Sequence, residues 1–359
     1  MDKLKELREM IELYGTAPTL EEMPRRSLRD KGIYGPTSAH VIEEIHTPFN
    51  LAYVAITTGT TAFQNIVGVT HPEIPDRVAA SLEVFSRVGI NRGDLVLFTY
   101  PPLVNVFPRQ ALDEYGLRWS FLRRSGRDAL LLAMCEERPK AVIGESSFLR
   151  AALEDARRLD MLELLPKGLS FIAAGTPLDP DFPAALDSVG GRAHDLYGCQ
   201  EFGWLALDGV PLRGDITLLS REGSEFKDFI VGGLPTGDSF LLSEQGHVLN
   251  REGKIITYSR MRTEPDYEVT VLQTTAQSPV TAGRLARSIL RIKGKIVRVS
   301  PELRAGGDRT ILSLSFGKGR KEPAVIDTPE KTRLFDSLLK AQLDYQSQPK
   351  TDPSWIKGR

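Results

Sequence analysis

The 359-residue chain has only two cysteines, Cys135 and Cys199, far apart in sequence and without the spacing of metal ligands. Their scarcity excludes a disulfide scaffold and a thiolate-held zinc site, and it points to reduced thiols in a cytosol. Long apolar runs are missing too. With neither a secretory-leader pattern nor a bilayer-length stretch, the expectation is a cytoplasmic protein without a membrane partner. Charge of one sign is lacking: 46 Lys and Arg stand against 47 Asp and Glu, a net charge of −1. That balance gives no electrostatic reason to expect nucleic acid or an anionic lipid surface. Repeats and low-complexity tracts are absent as well, which excludes a solenoid.

What is present is ordinary globular material, 41% hydrophobic and 26% charged. Its length is long for one core and suits a large domain plus a small one. Apolar periodicity predicts helices over 1–14, 77–88, 128–137 and 147–159, and buried strands over 51–56, 94–100, 141–144 and 169–174. In the first helix Leu4, Leu7, Met10, Ile11 and Tyr14 share one face, read as a packing face. The alternation implies an α/β fold with substantial parallel sheet. From Asp215 onward the runs become short and β-like, and after Leu290 come two or three strands and a helix over 329–345.

Chemistry-bearing residues cluster at the ends of these strands. Thr57-Thr58-Gly59-Thr60-Thr61 follows an apolar strand, and its hydroxyls and flexible glycine suit a loop that wraps phosphate. Gly175-Thr176-Pro177-Leu178 ends another strand, and about twenty residues later Tyr197-Gly198-Cys199-Gln200-Glu201 joins an aromatic, a glycine and a carboxylate. Taken in order, these segments resemble the adenylate-forming superfamily of acyl-CoA synthetases, luciferases and adenylation domains. The resemblance runs from about residue 20 to 300. Gly246-His247-Val248-Leu249, the segment 256–266, and Gly283-Arg284 before Leu290-Arg291-Ile292-Lys293-Gly294 are similar to the phenylacetate-CoA ligase-like branch.

The resemblance implies a large N-terminal adenylate-forming domain, residues 1–283, with mixed, largely parallel sheets and a β-rich subdomain. A reduced α+β C-terminal domain, 284–359, would follow. It implies ATP-dependent activation of a carboxylate: the acid attacks the α-phosphate, pyrophosphate leaves, and a mixed anhydride passes to a thiol, an amine or a partner reductase. Implied acceptors are CoA or a carrier protein. By the same resemblance Thr57, Thr58, Gly59, Thr60 and Thr61 hold the β- and γ-phosphates of ATP, and Glu201 binds Mg²⁺. Gly175, Thr176, Tyr197 and Gly198 receive the adenine of ATP or AMP, Gln200 donates to the α-phosphate, and Arg284 is a hinge or phosphate ligand. For the ribose, spacing favours Asp266, with Glu264 as a substitute and Asp238 as a surface turn. Tyr100, Asn105 and Phe107, with Cys199 and Phe202 opposite, outline a flat acyl pocket suited to an aromatic or heteroaromatic acid. A phenazine carboxylate is one candidate, because compact adenylating proteins of phenazine antibiotic pathways have a similarly reduced C-terminal part. His194 is read as a structural histidine.

Departures accompany the matches. Ala62-Phe63-Gln64-Asn65 replaces the usual Gly-x-Pro-Lys, so the loop lysine is missing, and no residue near the end securely matches the lid lysine. These losses keep two alternatives in view: a nucleotidyl transferase that leaves AMP on a cofactor, and a degraded relative that binds nucleotide or an aryl ligand without turnover.

Overall fold

The computed structural model describes residues 3–5, 8, 51–57, 65–99, 107–122, 124, 126–176, 178–220, 223–242, 250–251, 254–255, 261–262, 267–279, 282, 296–316 and 322–347. The described residues fall into two compact units. One comprises Met1–Thr47, Ile90–Val104 and Glu114–His194; the other comprises Pro48–Gly89, Asn105–Asp113 and Asp195–Arg359.

The second unit begins with β1 (Leu51–Thr57) and β2 (Asn65–Thr70), which pair antiparallel with Thr57 opposite Asn65. The Thr-rich segment is therefore the connection of a hairpin, and residues 58–64 of it lie outside the described residues. The second strand of that hairpin was not expected from the sequence. Thr70 and Glu73 then start α1 (Ile74–Val88): the Glu73 carboxylate accepts from the Thr70 N–H at 2.8 Å, Pro75 sits in the first turn, and Gly89 closes the helix at φ 75°. Its buried face carries Val78, Ser81, Val84, Phe85, Val88 and also Arg77.

The first unit is an α/β layer. β3 (Leu95–Phe98), α2 (Arg109–Tyr115), β4 (Arg118–Phe121), α3 (Arg127–Glu137), β5 (Ala141–Gly144), α4 (Ser146–Arg158) and β6 (Ser170–Ala174) follow in order, α2 spanning the boundary between units. The four strands are parallel in the order β4-β3-β5-β6. Every residue of β5 and β6 is buried, as parallel strands covered on both faces require. Lys3, Leu4, Lys5 and Arg8 are helical, and Arg8 pairs with Glu136; Leu7, Met10, Ile11 and Tyr14 of the expected packing face lie outside the described residues. After α5 (Phe182–Leu186), the chain passes into the second unit within β7 (Arg192–Cys199).

The rest of the second unit is β-rich, as expected, and its strands pair mostly antiparallel, with a parallel pair in the last sheet. β8 (Gly203–Leu207) pairs with β7 and with β9 (Val210–Pro211). β10 (Ile216–Ser220), β11 (Lys227–Val231) and β12 (Leu234–Phe240) form a sheet that, after the two-residue strands β13 (Asn250–Arg251) and β14 (Lys254–Ile255), gains β15 (Met261–Arg262) at its edge. β16 (Tyr267–Gln273), β17 (Ile296–Arg304), β18 (Ile311–Phe316) and β19 (Ala324–Ile326) make a second sheet in the order β17-β16-β18-β19, and α6 (Pro329–Ser347) ends the described chain.

The expected boundary after residue 283 lies outside the described residues, but one apolar cluster draws on both sides of it. Phe229, Leu234 and Phe240 share that cluster with Leu312, Leu314, Phe335 and Leu338. Polar contacts fix α6 to the same body. Arg213 makes a fork to Asp215, Nε to Oδ1 at 2.9 Å and Nη2 to Oδ2 at 2.6 Å, and stands 3.6 Å from Asp76, whose other oxygen meets Arg333 at 3.1 Å. The Phe335 N–H donates to Gly232 O at 3.2 Å. Gly232 has φ 55°, and a Cβ there would lie 2.1 Å from Leu334 Cβ, so only glycine lets helix and turn approach this closely.

Candidate functional site

The end of β7 turns into β8 through Gln200, Glu201 and Phe202, and the local sequence dictates this path. A bulge falls between Tyr197 and Gly198. A Cβ on Gly198 would lie 2.5 Å from both Gly203 O and Trp204 Cε3, and Gly203 has φ 78°. Two glycines are thus needed to fold the strand back while Trp204 crosses it.

Tyr197 is 6% exposed, its ring edge-on to Phe240 at 4.8 Å and Phe229 at 5.6 Å. Its hydroxyl donates to Asp238 Oδ2 at 2.8 Å. Asp238 was expected in a surface turn. It lies instead inside β12, half-buried, with its N–H on Thr236 Oγ1 at 3.1 Å and that hydroxyl donating to Phe229 O. Burial pushes the Cys199 thiol far up, and the charges of Glu201 and Asp238 add to the shift. Cys199 therefore sits beside two carboxylates and stays a thiol.

Beneath the turn lies a residue that sequence reasoning took as no more than a helix start. Arg77 is 1% exposed, and its Nη2 donates to both Gln200 O and Glu201 O at 2.9 Å. Its guanidinium is 3.8 Å from Glu73 Oε1 and 6.0 Å from the centroid of the Tyr53 ring on β1. Nε and Nη1 have no hydrogen-bond partner among the described residues. The signal in the sequence was an arginine in phase with Val78, Ser81, Val84 and Val88, on the face that a helix buries.

In the first unit, Gly175 has φ 91° and Thr176 follows it, both exposed. Thr176 Oγ1 donates to Glu145 Oε1 at 2.6 Å, while the Glu145 carboxylate caps α4 by accepting from the Ser147 and Phe148 N–H groups. Burial would raise the Glu145 pKa, but these hydrogen bonds outweigh it and hold the group below its ordinary range.

Phe107 and Phe202, expected on an acyl-pocket wall, are 0% and 1% exposed. Phe107 packs between Phe85 at 5.2 Å and Trp204 at 4.9 Å. Thr57 is placed at the end of β1. Thr58, Gly59, Thr60, Thr61, Tyr100, Asn105, Glu264, Asp266 and Arg284 lie outside the described residues. His194 is half-buried in β7. Among the described residues no group of three or more His, Cys, Asp or Glu could hold a metal, and no helix is long and apolar enough to cross a membrane.

Comparison with known proteins adds sequence relatives to this geometry. Residues 208–346 match the family model of the MadH C-terminal domain. Over the full length of both chains, the protein is 56% identical to the ACP-SH:acetate ligase of Malonomonas rubra. Among solved structures, the N-terminal domain of FACL13 from Mycobacterium tuberculosis aligns at 18% identity over 56% of this chain and 60% of that one, with a TM-score of 0.43. The amide bond synthetase McbA from Marinactinospora thermotolerans aligns at 18% identity over 91% and 66%, with a TM-score of 0.44.

Proposed function

The chain belongs to the family of the ACP-SH:acetate ligase of Malonomonas rubra, and from that premise we propose that it activates a short carboxylic acid of the acetate class with ATP and hands the acyl group to a carrier-protein thiol. The observation that carries this reading is the full-length identity of 56% to a relative named for acetate and ACP-SH. Phe107, expected on the wall of an aromatic pocket, is a buried core residue against Phe85 and Trp204, so it lends no support to a flat aromatic substrate. An aromatic or phenazine acid has no such support and becomes the competing arm of the test.

The chemistry starts with attack of the carboxylate oxygen on the α-phosphorus of ATP, which forms the acyl-phosphate bond and releases pyrophosphate. The thiol then attacks the acyl carbon, and AMP leaves with the bonding pair. Charge on the phosphates has to be met by fixed donors and a cation. The donor set suits Mg²⁺, which binds through one or two carboxylates and completes its shell with phosphate oxygens and water, so it needs no protein cage. Glu201 is the carboxylate proposed to hold it, and the bound ion would neutralise charge on the phosphates. Asp238, whose carboxylate accepts from the Tyr197 hydroxyl, takes the ribose hydroxyls in this proposal in the place of Asp266. Gln200 donates to the α-phosphate, Thr57 to Thr61 hold the terminal phosphates, and Gly175, Thr176 and Gly198 admit the base, all on the resemblance. Arg284 keeps its proposed hinge or phosphate role.

The test is ATP–pyrophosphate exchange over acetate, propionate, benzoate and a phenazine carboxylate, followed by mass spectrometry of a carrier protein. Exchange with acetate and a mass gain on the carrier thiol support the proposal. Exchange with an aromatic acid alone overturns the substrate class. AMP retained on an acceptor points to nucleotidyl transfer, and binding without exchange to a degraded relative.

A further inference from the structure

We propose that Arg77 is a positioning residue that sets the Glu201 carboxylate for the magnesium-bound triphosphate by clamping the backbone beneath it. The inference rests on the adenylation reading above and names a residue outside the motifs that led to it. One nitrogen, Nη2, holds the carbonyls of both Gln200 and Glu201 at 2.9 Å, so the turn carrying Glu201 is fixed from below by a single rigid group. The turn is shaped to receive it: Gly203 has φ 78°, and a Cβ there would lie 3.2 Å from Arg77 Cγ.

The same guanidinium also reaches the hairpin that flanks the Thr-rich segment. It faces the Tyr53 ring of β1, and it stands 3.8 Å from Glu73, whose other oxygen accepts from the N–H and hydroxyl of Thr70 at the end of β2. Strand, helix and turn thus share one cation, and the two segments assigned to phosphate and magnesium are registered against each other through it. The guanidinium is therefore placed by what it holds together: two carbonyls of the turn, the Glu73 carboxylate and the Tyr53 ring.

The experiment compares wild type with Arg77→Met and Arg77→Lys in urea unfolding, in ATP–pyrophosphate exchange as a function of Mg²⁺, and in MgATP binding by calorimetry. Folded Arg77→Met is expected to lose about 100-fold in exchange, with its Mg²⁺ half-saturation raised, as displacement of a ligand by about an ångström would do. Arg77→Lys, whose shorter ammonium keeps the charge but cannot span the two carbonyls, Glu73 and the Tyr53 ring together, is expected to fall between the two. In a Glu201→Gln background the methionine variant should add little, because both changes act through one carboxylate. An unchanged Mg²⁺ dependence in a folded variant, full additivity with Glu201→Gln, or failure of both variants to fold would each overturn the clamp. Wild type that binds MgATP but shows no exchange overturns the adenylation reading, and the calorimetric comparison of wild type with Arg77→Met then decides the clamp. Wild type that binds no MgATP overturns both.

Discussion

The Tyr197 hydroxyl donates to the carboxylate of Asp238 at 2.8 Å, joining the end of β7 to the middle of β12. The bond fixes the Asp238 side chain against rotation. If this carboxylate accepts from a ribose hydroxyl, Asp238→Asn should raise the ATP KM by about tenfold while the acid's KM stays at the wild-type value. Tyr197→Phe keeps the ring packed on Phe229 and Phe240 and removes only the anchor, so a smaller rise of the same kind is expected. Steady-state kinetics with ATP and acid varied separately check both. A wild-type ATP KM in Asp238→Asn returns the ribose to Asp266 or Glu264.

Cys199 gives a prediction about the acceptor. Its pKa is pushed far up by burial and by the neighbouring Glu201 and Asp238 charges, so at neutral pH the nucleophilic thiolate is not formed. Cys135 is raised in the same direction by burial. Neither cysteine should be labelled by iodoacetamide in the native protein, and both should be labelled in urea. Cys199→Ser should keep transfer to the carrier thiol. Rapid native labelling of Cys199, or loss of transfer in the serine variant, would instead make this residue a way-station for the acyl group.

How much of this was legible in the sequence depended on the kind of signal. β5 and β6 announced themselves because fully buried parallel strands are continuous apolar runs, and α1, α3, α4 and α6 did so by their period, whereas the short helices α2 and α5 did not. The Tyr-Gly-x-x-Glu segment was singled out by its resemblance to a family motif, and the reason for its glycine, a bulge crossed by Trp204, shows only in the fold. Asp238 was misplaced because its distance in sequence from Glu201 was weighed against a family layout, and sheet pairing is not encoded in that distance. Arg77 was missed because composition reads arginine as surface. Only its phase on the α1 face gives it away, and the carbonyls it holds lie far off in sequence.

Glu145 ties stability to pH. Its folded-state pKa is held below the ordinary 4.5 despite burial, because Thr176, Ser147 and Phe148 all donate to the carboxylate. A depressed carboxylate contributes stability above its unfolded pKa and loses it as pH falls through the folded value. Glu145→Gln should therefore lower stability near pH 7 by about 1 kcal/mol through the weakened cap, and the gap to wild type should close towards about pH 3. Urea unfolding across that range measures it. A gap that stays constant with pH would assign the whole effect to packing.

Arg213 decides whether the C-terminal helix is part of the body that carries the site. Its side chain is 4% exposed and that of Asp215 is 0% exposed, their fork is fully formed, and Arg213 Nη1 also donates to Phe202 O at 3.0 Å, one residue beyond Glu201. Replacing it with methionine leaves a buried carboxylate without its cation, which costs about 3–5 kcal/mol. Arg333→Met removes only the half-exposed partner of Asp76 and should cost about 0.2–1 kcal/mol. Since Phe229 and Phe335 lie in one apolar cluster, unfolding of α6 and of the sheet around Asp238 should be a single transition. Hydrogen exchange across residues 329–347 and 227–240 tests that coupling directly. Equal protection in both segments, falling together in Arg213→Met, would mean that α6 cannot swing away between half-reactions, so the carrier thiol has to reach the adenylate by its own flexible arm. Fast exchange of α6 while the sheet stays protected would free the helix to move, and the fork to Asp215 would then secure only the turn beside Glu201.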